Sequence, residues 1–251
     1  MLLAIDVGNT TATVGIFKSD KLVFSDRIIT KKPAGAKYYL TAFKKILKNK
    51  KIDNIIISSV VPEVTVVLKS IFRKNFGITP VILGQDLIVP IKNLYKDPAE
   101  VGQDRLVNAY AGYKKFGGGL IIIDFGTAIT FDVVSKKGEY LGGVITPGIE
   151  TSLIALAEKT ALLPKIAPKR PSAVIGKDTA GSISSGMFYG FGAMCDGLVY
   201  RIRKETGKRY KVILTGGHSA LISGYCSHDH ILPNLTLEGL RLIHRLNNKK
   251  L

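Results

Sequence analysis

"LLAIDVGNTTATVGIF", residues 2–17, sets an aspartate, Asp6, inside an apolar strand and follows it with Gly8, Asn9, Thr10 and Thr11. An apolar run, a Gly-Asn turn and a second β-rich run read as a hairpin. A hairpin alone gives Asp6 no purpose. The stretch "LIIIDFGTAITFDVV", residues 120–134, repeats the plan, with Asp124, Gly126 and Thr127 standing where Asp6, Gly8 and Asn9 or Thr10 stand. Two hairpins with an aspartate near the same strand end indicate a duplicated domain. A cleft between two such halves would offer both carboxylates to one metal-bound phosphate chain.

The residue types suit that chemistry. Glycine has no Cβ, so a turn built on it lets phosphate oxygens approach the backbone closely, and Asn or Thr side chains add hydrogen bonds. A carboxylate beside the turn is a hard oxygen ligand for Mg²⁺ or its bound waters. No "GxxxxGK[ST]" occurs, and "GFGAMC" from Gly190 lies in a small-residue helical stretch instead of following a strand.

Composition narrows the class. A chain of 251 residues with 46% hydrophobic and 22% charged residues has ample material for a buried core. No basic leader or cleavage site follows Met1, no apolar run reaches the roughly 18 residues of a membrane span, and Cys195 and Cys226 are too far apart for a paired-zinc spacing. These features lead us to expect a cytoplasmic protein with no membrane partner. The net charge of +17 is spread along the chain, and its densest run, "AFKKILKNKKI" from Ala42, reads as an amphipathic helix with a wet basic face. The aromatic-glycine signature of an RNA-recognition sheet is missing, so nucleic acid is not the expected partner.

The order of elements is strands first and helices after, twice over, which indicates α/β halves of mixed sheet. Strands are expected near 2–17, 21–30, 54–61, 79–83 and 210–217, and helices near 36–49, 63–75, 104–116, 150–160 and 179–206. The "GGG" at Gly117–Gly119 marks a seam between domains 1–116 and 117–251. "GQDR", Gly102–Arg105, puts an acid before a base at a loop-to-helix start, where amides face outward. "YCSHDH", 225–230, holds potential metal ligands without evident partners elsewhere and reads as a polar loop.

Together these motifs resemble the superfamily of acetate and sugar kinases, heat-shock chaperones and actin. Within it the chain is most similar to the type III pantothenate kinases. The marks are "DVGNTTATVG" from Asp6, "SSVVP" at Ser58, "VGQDRLVNA" at Val101, "DFGTAIT" from Asp124, "GGVITPG" at Gly142, "IGKDT" at Ile175 and "LTGGHSALI" at Leu214. The resemblance implies two ribonuclease-H-like domains in a duplicated actin-like ATPase architecture, and phosphorylation of pantothenate by ATP with Mg²⁺ and a monovalent cation, K⁺ or NH₄⁺.

It further implies phosphate and ATP contacts from Asp6, Val7, Gly8, Asn9, Thr10, Thr11, Ala12, Thr13, Thr127, Gly216 and Gly217, with Asp6 also near Mg²⁺. Asp104 would be the general base, and Tyr95, Gly102, Gln103, Arg105 and Thr179 would contact pantothenate. Asp124 would hold the monovalent cation, and a homodimer would complete each substrate site across its interface. The chain departs from the family's usual pattern at Asp178, where Asn is common, and in "SISSG". An exposed loop tyrosine is the competing reading of Tyr95, and a helix N-cap that of Thr179. Proteins of this family have also been described as transcriptional accessory factors, which leaves a nucleic-acid-associated role or another small hydroxyl acceptor as alternatives.

Overall fold

The computed structural model describes residues 1–33 and 35–248. Strands β1 (Leu2–Val7), β2 (Thr11–Lys18), β3 (Lys21–Ile29), β4 (Asn54–Ser59) and β5 (Val81–Ile82) form one sheet in the order β3-β2-β1-β4-β5. The chain runs antiparallel from β1 to β2 to β3 and parallel from β1 to β4 to β5. Alternation along the strands sends Leu3, Ile5, Val7, Val14, Ile16, Ile55 and Ile57 to one face. There they pack on Tyr39 and Phe43 of helix α1 (Ala36–Leu47) and Leu68 and Phe72 of α2 (Pro62–Phe76). Pro62 at the first helical position and Gly77 in the left-handed region bound α2, so both of its ends are written in the sequence.

The second sheet contains β6 (Lys92–Asn93), β7 (Leu120–Phe125), β8 (Ala128–Val134), β9 (Glu139–Pro147), β10 (Lys211–Thr215) and β11 (His230–Ile231) in the order β11-β10-β7-β8-β9-β6. Without β6 this is the first sheet again, with β9, β8, β7, β10 and β11 in the places of β3, β2, β1, β4 and β5. Pairing directions agree strand for strand. Each sheet also carries one irregularity in its outer antiparallel pair, at Ile16/Phe17 and at Val133/Val134. The duplication inferred from two short motifs therefore extends to whole sheets.

Helices α3 (Gln103–Phe116), α4 (Ile149–Lys159), α5 (Thr179–Ser185), α6 (Phe191–Thr206), α7 (Ser219–Ile222) and α8 (Leu235–Asn248) complete the chain. The expected single helix over 179–206 is α5 and α6 joined by a wide π turn at Gly186–Gly190.

A single boundary after Phe116 does not describe the compact units. One comprises Met1–Ile91, Asp97–Ala111 and the residues from Thr236 onward, and the other comprises Lys92–Lys96 and Gly112–Leu235. Two contacts explain the difference. Strand β6 pairs with β9, which carries residues 92–96 into the second unit. Helix α8 packs against residues of the first: Leu237 fills the space over Gly15, and Gly239 lies against Val107 and Ala111 of α3.

Gly239 tests that packing. A Cβ there would lie 2.5 Å from the Val107 side chain and 2.8 Å from its carbonyl oxygen. Alanine gains about 1 kcal/mol of helix propensity over glycine, while overpacking a core costs about 1–3 kcal/mol. We expect Gly239→Ala to lower the melting temperature by a few degrees in thermal unfolding. An unchanged or raised value would mean that α8 does not seat this closely.

Candidate active site

In the first unit Asp6 lies one residue from the end of β1, in register with Thr13 of β2 and Ser58 of β4. The three side chains share one sheet face, opposite the apolar one, at the carboxyl end of the parallel strands where open α/β sheets bind ligands. The Ser58 hydroxyl is fully buried and has no hydrogen-bond partner among the described residues. A carboxylate beside an unsatisfied hydroxyl is a donor set suited to a hard cation and its waters.

The turn after Asp6 is held by its own backbone. The Gly8 amide donates to the Thr11 carbonyl at 3.0 Å, and the Thr30 amide and hydroxyl donate to the Thr10 and Gly8 carbonyls, both at 2.8 Å. Asn9 and Thr10 stay exposed, and Lys32 Nζ donates to Asn9 Oδ1 at 2.8 Å. Lys32 thus sets a positive charge beside the turn. The sequence reading missed it, although a Lys-Lys pair directly after the second hairpin strand was the available signal. Val7 and Ala12 bury their side chains in the core, so only their backbone is available to a ligand.

"GQDR" opens α3 as expected, with the Gly102 carbonyl accepting the amides of Arg105 and Leu106 at 3.1 and 3.3 Å. Asp104 curls back over its own turn, where Oδ1 accepts the Arg105 amide at 2.9 Å. Burial pushes the Asp104 carboxyl above the usual aspartate range, and the amide and charge of Arg105 offset this only in part. Arg105 is itself buried. Gln103 has a packing role, since its side chain covers Gly84, which adopts φ +84.

The second unit gathers four of its expected residues in one place. Asp124 is in register with Thr130 of β8 and Thr215 of β10. A Cβ on Gly216 would fall 2.2 Å from Asp124 Oδ1, and Gly216 has φ +86, so both space and backbone require glycine. Thr127 is exposed, and its carbonyl accepts the Gly148 amide at 3.0 Å and the Thr151 hydroxyl at 2.7 Å. His218, next to Gly217, donates its amide to the Phe125 carbonyl at 3.2 Å and directs its ring toward Glu150 at 3.3 Å. Gly148, Thr151 and Glu150 brace this turn.

Tyr95 is half-buried, and its ring packs 6.4 Å from that of Tyr140 and against Gly142. β6 pairing produces this placement, which the loop reading did not contain. Tyr140 donates to Asp132 Oδ1 at 2.9 Å and Thr130 donates to Oδ2 at 3.0 Å, so a fully buried carboxylate ties the Tyr95 platform to the strand pair holding Asp124. Thr179 is exposed, and the helix cap is Asp178, whose Oδ1 accepts the Gly181 amide at 2.6 Å. The capping alternative for Thr179 is therefore excluded. In "YCSHDH", Asp229 accepts the Val212 amide and the His230 ring stacks on Phe116 at 4.3 Å. The described residues hold no cluster of three potential metal ligands.

Comparison with known proteins fits this geometry. A sequence model of the type III pantothenate kinases matches residues 2–201. The chain is 40% identical over 255 residues to a type III pantothenate kinase of Syntrophotalea carbinolica, covering 99% of this chain and 100% of that one. It is 42% identical to one from a Geobacter species, covering 98% and 100%. Among solved structures, a Campylobacter jejuni protein described as a Baf family transcriptional activator superposes with TM-score 0.60 at 20% identity, over 98% of this chain and 99% of that one. Component A of the (R)-2-hydroxyglutaryl-CoA dehydratase of Acidaminococcus fermentans does so with TM-score 0.56 at 14%, over 99% and 98%. At such identities the likeness is one of fold, here the duplicated actin-like ATPase fold.

The raised Asp104 carboxyl has a consequence for stability. A folded-state value above the unfolded one favours folding fully only below the unfolded pKa, about 3.9, and that contribution is lost as pH rises through the folded value. Asp104→Asn should therefore melt higher than the parent at neutral pH, with the gap closing as pH falls toward about 4. A variant less stable at pH 7 would show that the carboxylate is well solvated or well paired in the fold.

Proposed function

The chain belongs to the type III pantothenate kinase family, and we propose that it transfers the γ-phosphoryl group of ATP to the primary hydroxyl of pantothenate, the first step of coenzyme A biosynthesis. The observation that carries this reading is a half-buried aspartate of raised proton affinity at a helix start, in a chain whose two sheets each present an aspartate and a glycine turn. Phosphoryl transfer passes through a loose transition state, so alignment and charge neutralisation supply most of the catalysis.

In this reading the turn from Asp6 to Thr13 holds ATP phosphates through its amides and the Asn9 and Thr10 side chains, with Lys32 adding charge. Asp6 would hold Mg²⁺, directly or through water, beside the Ser58 hydroxyl, and the ion would neutralise phosphate charge. Thr127, Gly216 and Gly217 serve the nucleotide, and Asp124 takes K⁺ or NH₄⁺. Asp104 orients the pantothenate hydroxyl and accepts its proton as the new O–P bond forms and the bond to the β-phosphate oxygen breaks. Gly102, Arg105 and Tyr95 hold the anionic substrate.

A homodimer completes the site. Support comes from the apolar surface that the second unit leaves exposed, including Ile145 at 60%, Leu162 at 91% and Ile175 at 73%, with the exposed Thr179 near it in sequence. No described helix is long and apolar enough to cross a membrane, which is in keeping with a cytoplasmic enzyme.

The deciding experiment follows ADP release from Mg²⁺-ATP by the purified chain, with and without pantothenate and with K⁺, NH₄⁺ or Na⁺. Turnover should require pantothenate and fall in Na⁺. Asp104→Asn should lower kcat by roughly 10²–10⁴-fold without loss of fold. For the parent, the acid limb of kcat/KM should lie above the ordinary aspartate value of about 3.9. Lys32→Ala should raise KM for ATP several-fold and leave KM for pantothenate unchanged. A fully active Asp104→Asn variant would remove that residue from its role, and turnover indifferent to pantothenate would overturn the assignment of the acceptor.

A further inference from the structure

Cys195 and Cys226 are far apart in sequence, yet the fold brings them into direct contact. Helix α6 lies along the segment after α7, and two contacts fix the alignment on either side of the cysteines. Gly192 sits on the Tyr225 carbonyl with no room for a Cβ, which would fall 2.1 Å from that oxygen. One turn further along α6, Asp196 Oδ1 accepts the Ser227 amide at 2.8 Å. Between these brackets the two thiols face each other in the apolar core of the second unit, and Cys226 Sγ donates to the Ile222 carbonyl at 3.9 Å. Both cysteines are free.

We propose that Cys195 and Cys226 form a reversible dithiol–disulfide pair, oxidised by small peroxides. Their surroundings assign the order of steps. Cys226 retains 9% of its surface and Cys195 only 1%, so an oxidant small enough to enter meets Cys226 first. The neighbouring Cys195 thiol draws Cys226 below its usual range, while Cys195 is pushed up by Cys226 and by burial.

The Cys226 thiolate attacks one peroxide oxygen, the O–O bond breaks, and the departing hydroxide takes a proton to leave as water. This produces a sulfenic acid. The Cys195 sulfur then attacks the Cys226 sulfur, the S–O bond breaks, and a second water leaves with the Cys195 proton. Two thiols are oxidised to one disulfide while one hydrogen peroxide is reduced to two waters. Reduction by a dithiol reverses the change through a mixed disulfide. The bond would fasten α6 to the segment that follows the Gly216–Gly217 turn. The inference is independent of the kinase reading, because it needs neither nucleotide nor turnover.

The test uses the full native chain, treated with hydrogen peroxide at neutral pH, quenched in acid, unfolded, alkylated and weighed. The expected product is a monomeric chain lighter by two hydrogen atoms, with neither cysteine alkylated, a peptide cross-link joining Cys195 to Cys226, and full reversal by dithiothreitol. In Cys195→Ala the cross-link disappears and dimedone labels Cys226. Full alkylation of both cysteines after peroxide would overturn the proposal and leave the pair as core packing. A sulfinic acid on Cys226 beside an intact Cys195 thiol, or cross-links only between chains, would overturn it equally.

Discussion

The fold depends on where a carboxylate can stand in an apolar strand. An aspartate deep in the sheet would lose several kcal/mol of hydration without a partner, and moving it by one residue would turn it into the core formed by Ile5 and Val7. Asp6 and Asp124 therefore occupy the last position on the polar face before each central strand ends. Their neighbours there are hydroxyl-bearing: Thr13 and Ser58 in one sheet, Thr130 and Thr215 in the other. The glycine turn must follow at once, because the backbone reverses there, with the Gly8 amide closing the turn and Asn9 and Thr10 left exposed. In the proposed function, phosphate recognition and the architecture of the sheet rest on the same short run of residues.

The repeat, the succession of the longer strands and helices along each half and the helix start at Asp104 were legible in the sequence because their signals are local. Alternation marks the strands, and a run such as Gly102–Arg105 announces its own turn. What escaped notice is specified at long range. Strand β6 has two residues and no hydrophobic pattern, and it exists because β9 offers an edge. Lys32 becomes a candidate only when β3 returns beside Asn9, and Asp132 only when Tyr140 and Thr130 close on it. The sequence offered Thr179 as a cap, but the backbone uses Asp178, whose extended conformation directs the carboxylate at the Gly181 amide.

Asp104 shows the opposite side of this economy. Its burial disfavours the ionised form, an arrangement that a fold built for stability alone would replace with a neutral residue. Asp6 and Asp124, at the ends of central strands, stand beside hydroxyl-bearing neighbours, whereas Asp104 leans on backbone amides of its own turn and on the charge of Arg105. In the proposed function this cost falls where a proton has to move, and the rest of the core supplies the stability that tolerates it.

The path of the chain also sets an order of completion. The second unit has all of its residues once Leu235 is made, while the first waits for the segment from Thr236 onward. A nascent chain on the ribosome therefore holds the first unit's Gly15 and Val107 surface uncovered until α8 has followed the whole of the second unit. The half that starts first is the half that closes last, and until the final helix emerges it is the part of the growing chain most open to chaperones and proteases.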